Sequence, residues 1–347
     1  MEVNRFMTSN AKKKVVLIFI MFISMILIPL ISVIGNDSKN TLMAFNEDGS
    51  REERKSIIEK GNKHKTFRVL DESNGKILDI GDKEFLYSTV ITEMPPTFND
   101  EAIKAQAVAA YTYFSRTREQ ARKKDNTGKS PDFTVNTSKW KYYVSEEKIK
   151  ERWGENFDKY FNKVKADVDS VYGETLKDDG ELILSVYHAM SSGNTENCKD
   201  VFGGDLKYLK SVPSPGDKLA PNYKTNVDFS VDEFKSIINK AWSDCNINSE
   251  PNSWISDVNR TPTGMVKTIK ICGHEAKGTE IRSLFSLRSA DFDLSYQNDR
   301  FIFTVRGYGH GVGMSQYGAE YMAQQGADYK QILNWYYPGT KIEKNKF

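Results

Sequence analysis

An apolar run from Val15 to Ile34, broken only by Ser24, Pro29 and Ser32, constrains this chain more than any other feature. At about 1.5 Å per residue, roughly 20 residues cross a hydrocarbon core of about 30 Å. Lipid offers the backbone no hydrogen-bond partner, so such a run crosses as a helix. Arg5 and Lys12, Lys13 and Lys14 precede it, whereas Asn36 and Asp37 follow. Lys and Arg concentrate on the cytoplasmic side, so the N-terminus is expected inside and residues 36–347 outside. The competing reading is a cleaved signal peptide, whose apolar region is usually about 7–15 residues and ends at an A-x-A-like site. Here the run is longer and Ser32-Val33-Ile34-Gly35 fits such a site poorly, which favours a retained anchor.

The expected layout is a cytoplasmic tail (1–14), a transmembrane helix (15–34), a polar juxtamembrane tether (35–66) and one large ectodomain (67–347). As a flexible coil, a tether of about 30 residues reaches roughly 30 Å. With 49 basic and 47 acidic residues the charge balance is near neutral, and topology already accounts for the lysine cluster, so no nucleic-acid partner is expected. Three cysteines, Cys198, Cys245 and Cys272, lie far apart with no C-x-x-C pair; Cys272 and His274 give only C-x-H. They admit either one disulfide or three separate buried thiols, and no metal or other cofactor is expected.

Ordered structure is expected to begin near Phe67, where TFRVLD and ILDIG flank Asn74-Gly75, a hairpin signal. A short helix over 84–94 ends at Pro95-Pro96. The next helix, about 99–122, repeats Ile103, Ala107, Ala110, Tyr111 and Phe114 on one face, with Asn99 or Asp100 as its cap. Residues 123–150 read as loop-rich, and a helix follows over 155–171. ETLKD and ELILSVYHAM then read as two strands joined by Asp179-Gly180. Residues 191–225 form a long ordered loop, 231–242 a helix, and 279–305 a mixture of helical and strand-like pieces. FIFTVRGYGHGVGMSQYGAEYMAQQG reads as strand, glycine-rich turn and helix, and a last helix covers 329–335. Strands and helices mix without βαβ alternation, so the expected class is α+β.

Three segments depart from plain core-and-surface patterning. The first, from Glu101 to Ala110, sets an acidic residue in the first turn of an alanine-flanked helix, with Lys104 and Gln106 behind it. A first-turn acid also suits the helix macrodipole, so spacing alone leaves Glu101 open between structure and chemistry. The second runs from Tyr187 and His188 through Ser191, Ser192, Gly193 and Glu196 to Asp205, a strand end entering a loop dense in hydrogen-bonding side chains. It lacks the G-x-S-x-G elbow of a serine hydrolase, and its polar set also reads as turn chemistry. The third alternates glycines from Gly307 to Gly313 around Tyr308, His310 and Val312, then continues into Gln316 and Tyr317. Neither dinucleotide-binding nor phosphate-loop spacing fits it; a tight turn allowing close packing does.

These segments, in this order behind an N-terminal apolar run, resemble the stage II sporulation protein D family from about Phe67 to the C-terminus. The matching motifs are Glu93-Met94-Pro95, Glu101 to Ala107, His188 with Ser192-Gly193 and Thr195-Glu196, Tyr208-Leu209 with Ser211-Val212, and Gly309 to Ala319. The resemblance implies a two-lobed ectodomain with a glycan cleft and a lytic transglycosylase activity that leaves 1,6-anhydro-N-acetylmuramic acid ends. It makes Glu101 the catalytic acid and base, with Gln106, Tyr187, His188, Ser192, Gly193, Glu196, His310, Gln316 and Tyr317 lining the substrate site. It implies peptidoglycan strands as substrate, stage II sporulation proteins P (an amidase) and M (a membrane scaffold) as partners, and the mother-cell membrane facing the engulfment space as location. The chain departs from the family twice. Tyr111 stands where members often carry arginine, and the region near Asn136-Thr137-Ser138-Lys139-Trp140 lacks the Cys/His cluster of some members. Any stability there is expected from packing of Trp140, Tyr142 and Tyr143. The alternatives are a glycan-binding module that recruits or activates an amidase without cutting, and a wall enzyme acting outside sporulation.

Overall fold

The computed structural model describes residues 65–125 and 127–344. The expected anchor, Val15–Ile34, lies outside them, as does nearly all of the tether. Among the described residues no helix is long and apolar enough to cross a membrane. The fold is mixed α+β. Its contacts gather into two units, one holding described residues 65–93 and 117–157, the other 94–116 and 158–344.

The first unit opens with β1 (Thr66–Asp71), which starts one residue inside the expected tether, and β2 (Lys76–Gly81). They pair antiparallel from Thr66↔Gly81 to Asp71↔Lys76. The turn forms where Asn74-Gly75 predicts it, because Asp71 accepts from Ser73 N and Asn74 Nδ2 and Gly75 takes a φ of +72°. Helix α1 (Asp82–Glu93) stops before the proline pair. Helix α2 (Asp100–Lys124) contributes its C-terminal turns here, and its Arg122 pairs with the buried Asp132 at 2.8 Å. Strand β3 (Phe133–Val135), absent from the sequence reading, runs parallel to β1. Phe67, Phe85 and Phe133 pack ring against ring at 5.0–5.4 Å. Helix α3 (Glu146–Trp153) brings Arg152 over the Trp140 ring at 4.1 Å. Tyr143 stacks on Phe85, and Thr89 Oγ1 donates to Tyr142 O, so this stretch is held by packing and backbone capture as expected.

In the second unit the apolar stripe of α2 is buried throughout, Tyr111 included, and Tyr111 packs against Tyr172 at 5.6 Å. The residue that replaces the family arginine is thus a core aromatic. Helix α4 (Phe157–Val171) leads into β4 (Glu174–Asp178), which turns at Asp179-Gly180 into β5 (Glu181–Leu182). The expected long strand 181–190 ends there. Leu184 N donates to Tyr208 Oη and Ser185 Oγ to Ala109 O, so the run is buried against helix and loop and not in a ladder. A periodicity argument does not separate these two kinds of burial. Strand pairing resumes only in β6 (Tyr187–His188). The 191–225 loop carries a short helix α5 (Cys198–Phe202) and enters β7 (Lys224–Ser230). Helix α6 (Val231–Ala241) starts with a capping box between Ser230 and Glu233. Strands β8 (Ile255–Arg260), β9 (Val266–Ile271) and β10 (His274–Lys277) form one antiparallel sheet flanked by α7 (Gly278–Leu284). Strands β11 (Phe292–Gln297) and β12 (Arg300–Arg306) join β7 in another. Phe234, Phe301 and Phe303 belong to the core shared by these two sheets. The chain ends with β13 (Met314–Ser315), α8 (Gln316–Gln324), α9 (Tyr329–Tyr336) and β14 (Lys341–Lys344), which pairs with β4.

Candidate active site

The head of α2 is built to present a carboxylate. Asn99 is the cap: its Oδ1 accepts from Glu101 N at 3.0 Å and its carbonyl from Ile103 N at 3.1 Å. Ala102 and Ala105 are fully buried, but the Glu101 side chain keeps 27% of its surface exposed. One carboxylate oxygen accepts from Lys104 Nζ at 2.6 Å, the other from Tyr329 N at 2.8 Å. Tyr329 is the first residue of α9, capped by Asp328, so the carboxylate meets the positive ends of two helices. The hydrogen bond to Glu101 holds Lys104 above the ordinary lysine value against the opposing pull of burial. Close by, Lys163 bridges Asp100 at 2.9 Å and Asp167 at 3.6 Å. Burial, assisted by the Asp100 charge, raises Asp167 to about 6.

The second and third segments meet in the parallel pair β6–β13, with Tyr187 opposite Met314 and His188 opposite Ser315. Close approach requires the glycines. A Cβ on Gly309 would lie 2.6 Å from that of His188, and one on Gly313 2.0 Å from Val186 O; both have positive φ. The hydrogen bonds fix both histidine tautomers. His188 Nδ1 faces Val312 O at 3.1 Å and must donate, leaving Nε2 as a bare acceptor without a partner among the described residues. His310 Nδ1 accepts from Val312 N, so its proton is on Nε2. The rings lie 5.6 Å apart. Burial pulls His188 down to about 4 and His310 well below its ordinary value, with the neighbouring His188 adding to the latter. Both are neutral in neutral solution.

His310, Ser192 and Glu196 line one pocket with Asn194, Asp291 and Arg306. Glu196 is buried, and one of its oxygens accepts from Thr261 and Thr263 while the other has no partner among the described residues. Burial raises its pKa, and the two threonines oppose. Ser191 does not address His188: its backbone N donates to Asp217 at 2.7 Å and its hydroxyl at 2.5 Å. Asp217 also accepts from Ser315 Oγ at 2.6 Å, so it ties the second segment to the third beneath the surface.

The family model described as SpoIID, stage II sporulation protein, matches residues 71–177. Stage II sporulation protein D of Bacillus subtilis (strain 168) is 34% identical over 279 residues, covering 80% of this chain and 78% of that one. The chain belongs to the stage II sporulation protein D family. The Bacillus amyloliquefaciens member of this sporulation family is 33% identical over 277 residues, with the same coverage of both chains. A protein named amidase enhancer, also from Bacillus subtilis, is 24% identical over 305 residues, covering 74% of this chain and 40% of that one.

The ten residues singled out from the sequence fall into four groups. Glu101 stands at the α2 head with Lys104 and Tyr329, and its hydrogen bonds reach none of the other nine. Ser192, Glu196 and His310 line the pocket, with His188 behind His310, Tyr187 on β6, and Gly193 held by Ser191 Oγ and Ser214 N. Gln106 and Gln316 meet in the interior at 3.4 Å, 0% and 3% exposed. Tyr317 packs on Phe98 at 5.1 Å, and Glu320 accepts from Asn99 N at 2.6 Å, so α8 touches the turn that launches α2. Asp167, Asp217 and the Tyr329 contact were missed. Lys104 carried a local signal in its i,i+3 spacing from Glu101, and Asp167 in its i,i+4 spacing from Lys163.

Proposed function

We propose that this sporulation protein is a membrane-anchored lytic transglycosylase that cuts peptidoglycan strands stripped of stem peptides during engulfment. The observation that carries the reading is Glu101, a part-exposed carboxylate at the head of a helix whose Ala102 and Ala105 are fully buried. A glycosidase that uses water needs two carboxyl groups around the scissile bond. When the C6 hydroxyl of the same N-acetylmuramic acid is the nucleophile, one suffices. Glu101 protonates the glycosidic oxygen as the C1–O bond breaks. It then takes the C6 hydroxyl proton as that oxygen closes on C1. In the resting arrangement both Glu101 oxygens act as acceptors, so the acid step requires substrate to loosen the Lys104 contact. Tyr187, half-buried on β6, would be a donor for the oxocarbenium-like transition state, whereas the buried Gln316 would act only from behind the substrate site. The anchor would keep the enzyme at the mother-cell membrane, with the amidase and scaffold, stage II sporulation proteins P and M, as partners.

The test is Glu101→Gln on denuded glycan, read by mass spectrometry. Anhydromuramic products should fall by at least about 100-fold, the range typical of a lost general acid–base group, with an unchanged melting curve. More than a few per cent residual activity would remove Glu101 from the mechanism. The relative named amidase enhancer favours a second reading, a glycan-binding module that stimulates an amidase. Under it, wild-type protein would bind denuded strands and leave them intact.

A further inference from the structure

Two thiols for which the glycan chemistry has no use lie at the β9–β10 turn and in the segment that follows α6. Cys272 and Gly273 form the turn between β9 and β10, across which Ile271 faces His274. Their φ values are +52° and +88°, the pair of positive angles that a type I′ hairpin turn demands. Its first position favours Asn, Asp or Gly, and a cysteine there holds a strained left-handed backbone conformation. The segment after α6 lies against this turn. Asn246 N donates to Cys272 O at 2.9 Å, and Cys245 Sγ donates to Ile271 O at 3.8 Å. Both contacts bring the Cys245 segment against the Cys272 turn. The cysteines are therefore not three scattered thiols: Cys245 and Cys272 lie on adjoining segments, and Cys198 is buried elsewhere.

We propose that Cys245 and Cys272 are a redox pair that closes to a disulfide outside the cytoplasm, leaving Cys198 reduced. The oxidant is a disulfide, either a small molecule such as oxidised glutathione or a dithiol oxidoreductase. Cys245 is the less buried thiol and attacks first, as thiolate, on R–S–S–R. One R–S⁻ leaves and takes a proton. The Cys272 thiolate then attacks Cys245 Sγ and expels the second. One S–S bond has broken and one has formed; two electrons and two protons of the protein dithiol now sit on two R–SH. Burial pushes both thiols up, Cys272 to about 12, so closure needs a real thiolate fraction and speeds up with pH.

The bond would fasten the loop between β9 and β10 to the end of α6, a loop closure that contributes through the unfolded chain. To test this, the full chain in detergent is treated with oxidised glutathione at about pH 8, alkylated and digested. We expect one alkylated thiol, Cys198, and one linked peptide pair containing Cys245 and Cys272. The oxidised protein should melt roughly 5–10 °C above the reduced one, a gap absent in Cys245→Ser. Three alkylated cysteines, a lasting glutathione adduct on Cys245, or a link through Cys198 overturns the pairing. The wild-type map decides the question even if a variant fails to fold.

Discussion

Asp167 shows how far one residue's environment can escape its neighbours in sequence. Lys163 and Asp167 stand four apart on α4, which reads as an ordinary exposed ion pair. In the fold Asp167 is buried, its nearest cation is 3.6 Å away, and desolvation with the Asp100 charge lifts it to about 6. Between about pH 4 and 6 the folded protein keeps a proton that the unfolded chain has lost. Stability from this group therefore falls as pH rises through that window and is flat above it. The gap between 3.8 and about 6 caps the loss at roughly 3 kcal/mol, and the lysine offsets part of it. Asp167→Asn should remove that slope and stabilise the protein by about 1–2 kcal/mol at neutral pH. Urea midpoints of both proteins across this range check it, and equal pH dependence would refute the assignment. Glu101 and its cap Asn99 were legible in the sequence because they interact within one helical turn. Asp167 and Asp217 were not, because their burial is made by residues far along the chain.

At the scale of elements, the glycine-rich turn depends on backbone approach and not only on flexibility. Gly75 and Gly313 have nearly equal φ, +72° and +73°, yet a Cβ on the first meets nothing within 4 Å and on the second would lie 2.0 Å from Val186 O. Gly75→Ala should cost about 1 kcal/mol, the strain of a left-handed alanine. Gly313→Ala adds a backbone clash where β13 pairs with β6, and roughly 3–5 kcal/mol should be lost. Thermal denaturation of the two variants gives the comparison; similar shifts would mean that the β6–β13 junction yields easily. The same contrast explains what was readable. Hairpins at Asn74-Gly75 and Asp179-Gly180 are encoded within a few residues. The β7–β12 pairing joins positions about 75 apart, from Lys224↔Arg306 to Ser230↔Arg300. Strand β8 is exposed along nearly its whole length, so no apolar alternation marked it. The run 181–190 misled for the opposite reason: between β5 and β6 it packs against helix and loop without a ladder.

For the whole molecule, the proposed anchor and proposed chemistry make separable claims. A membrane helix at Val15–Ile34 with a tether reaching roughly 30 Å would confine cutting to wall beside the membrane. The described units carry core contacts of their own: Phe67 packs on Phe85, Tyr111 on Tyr172 and Phe234 on Phe301, all within residues 65–344. Replacing residues 1–34 by a cleavable secretion signal should therefore leave the melting curve and the yield of anhydromuramic ends per enzyme unchanged in solution. In the sporulating cell the released protein should leave the membrane fraction, and engulfment should fail or slow at equal protein level. Loss of activity in solution would show that the N-terminal region takes part in the cutting unit. Normal engulfment by the released form would reduce the apolar run to a delivery device. Failure of engulfment with intact activity would make position at the membrane part of the function, because the only property changed is how far the carboxylate of Glu101 can travel from the bilayer.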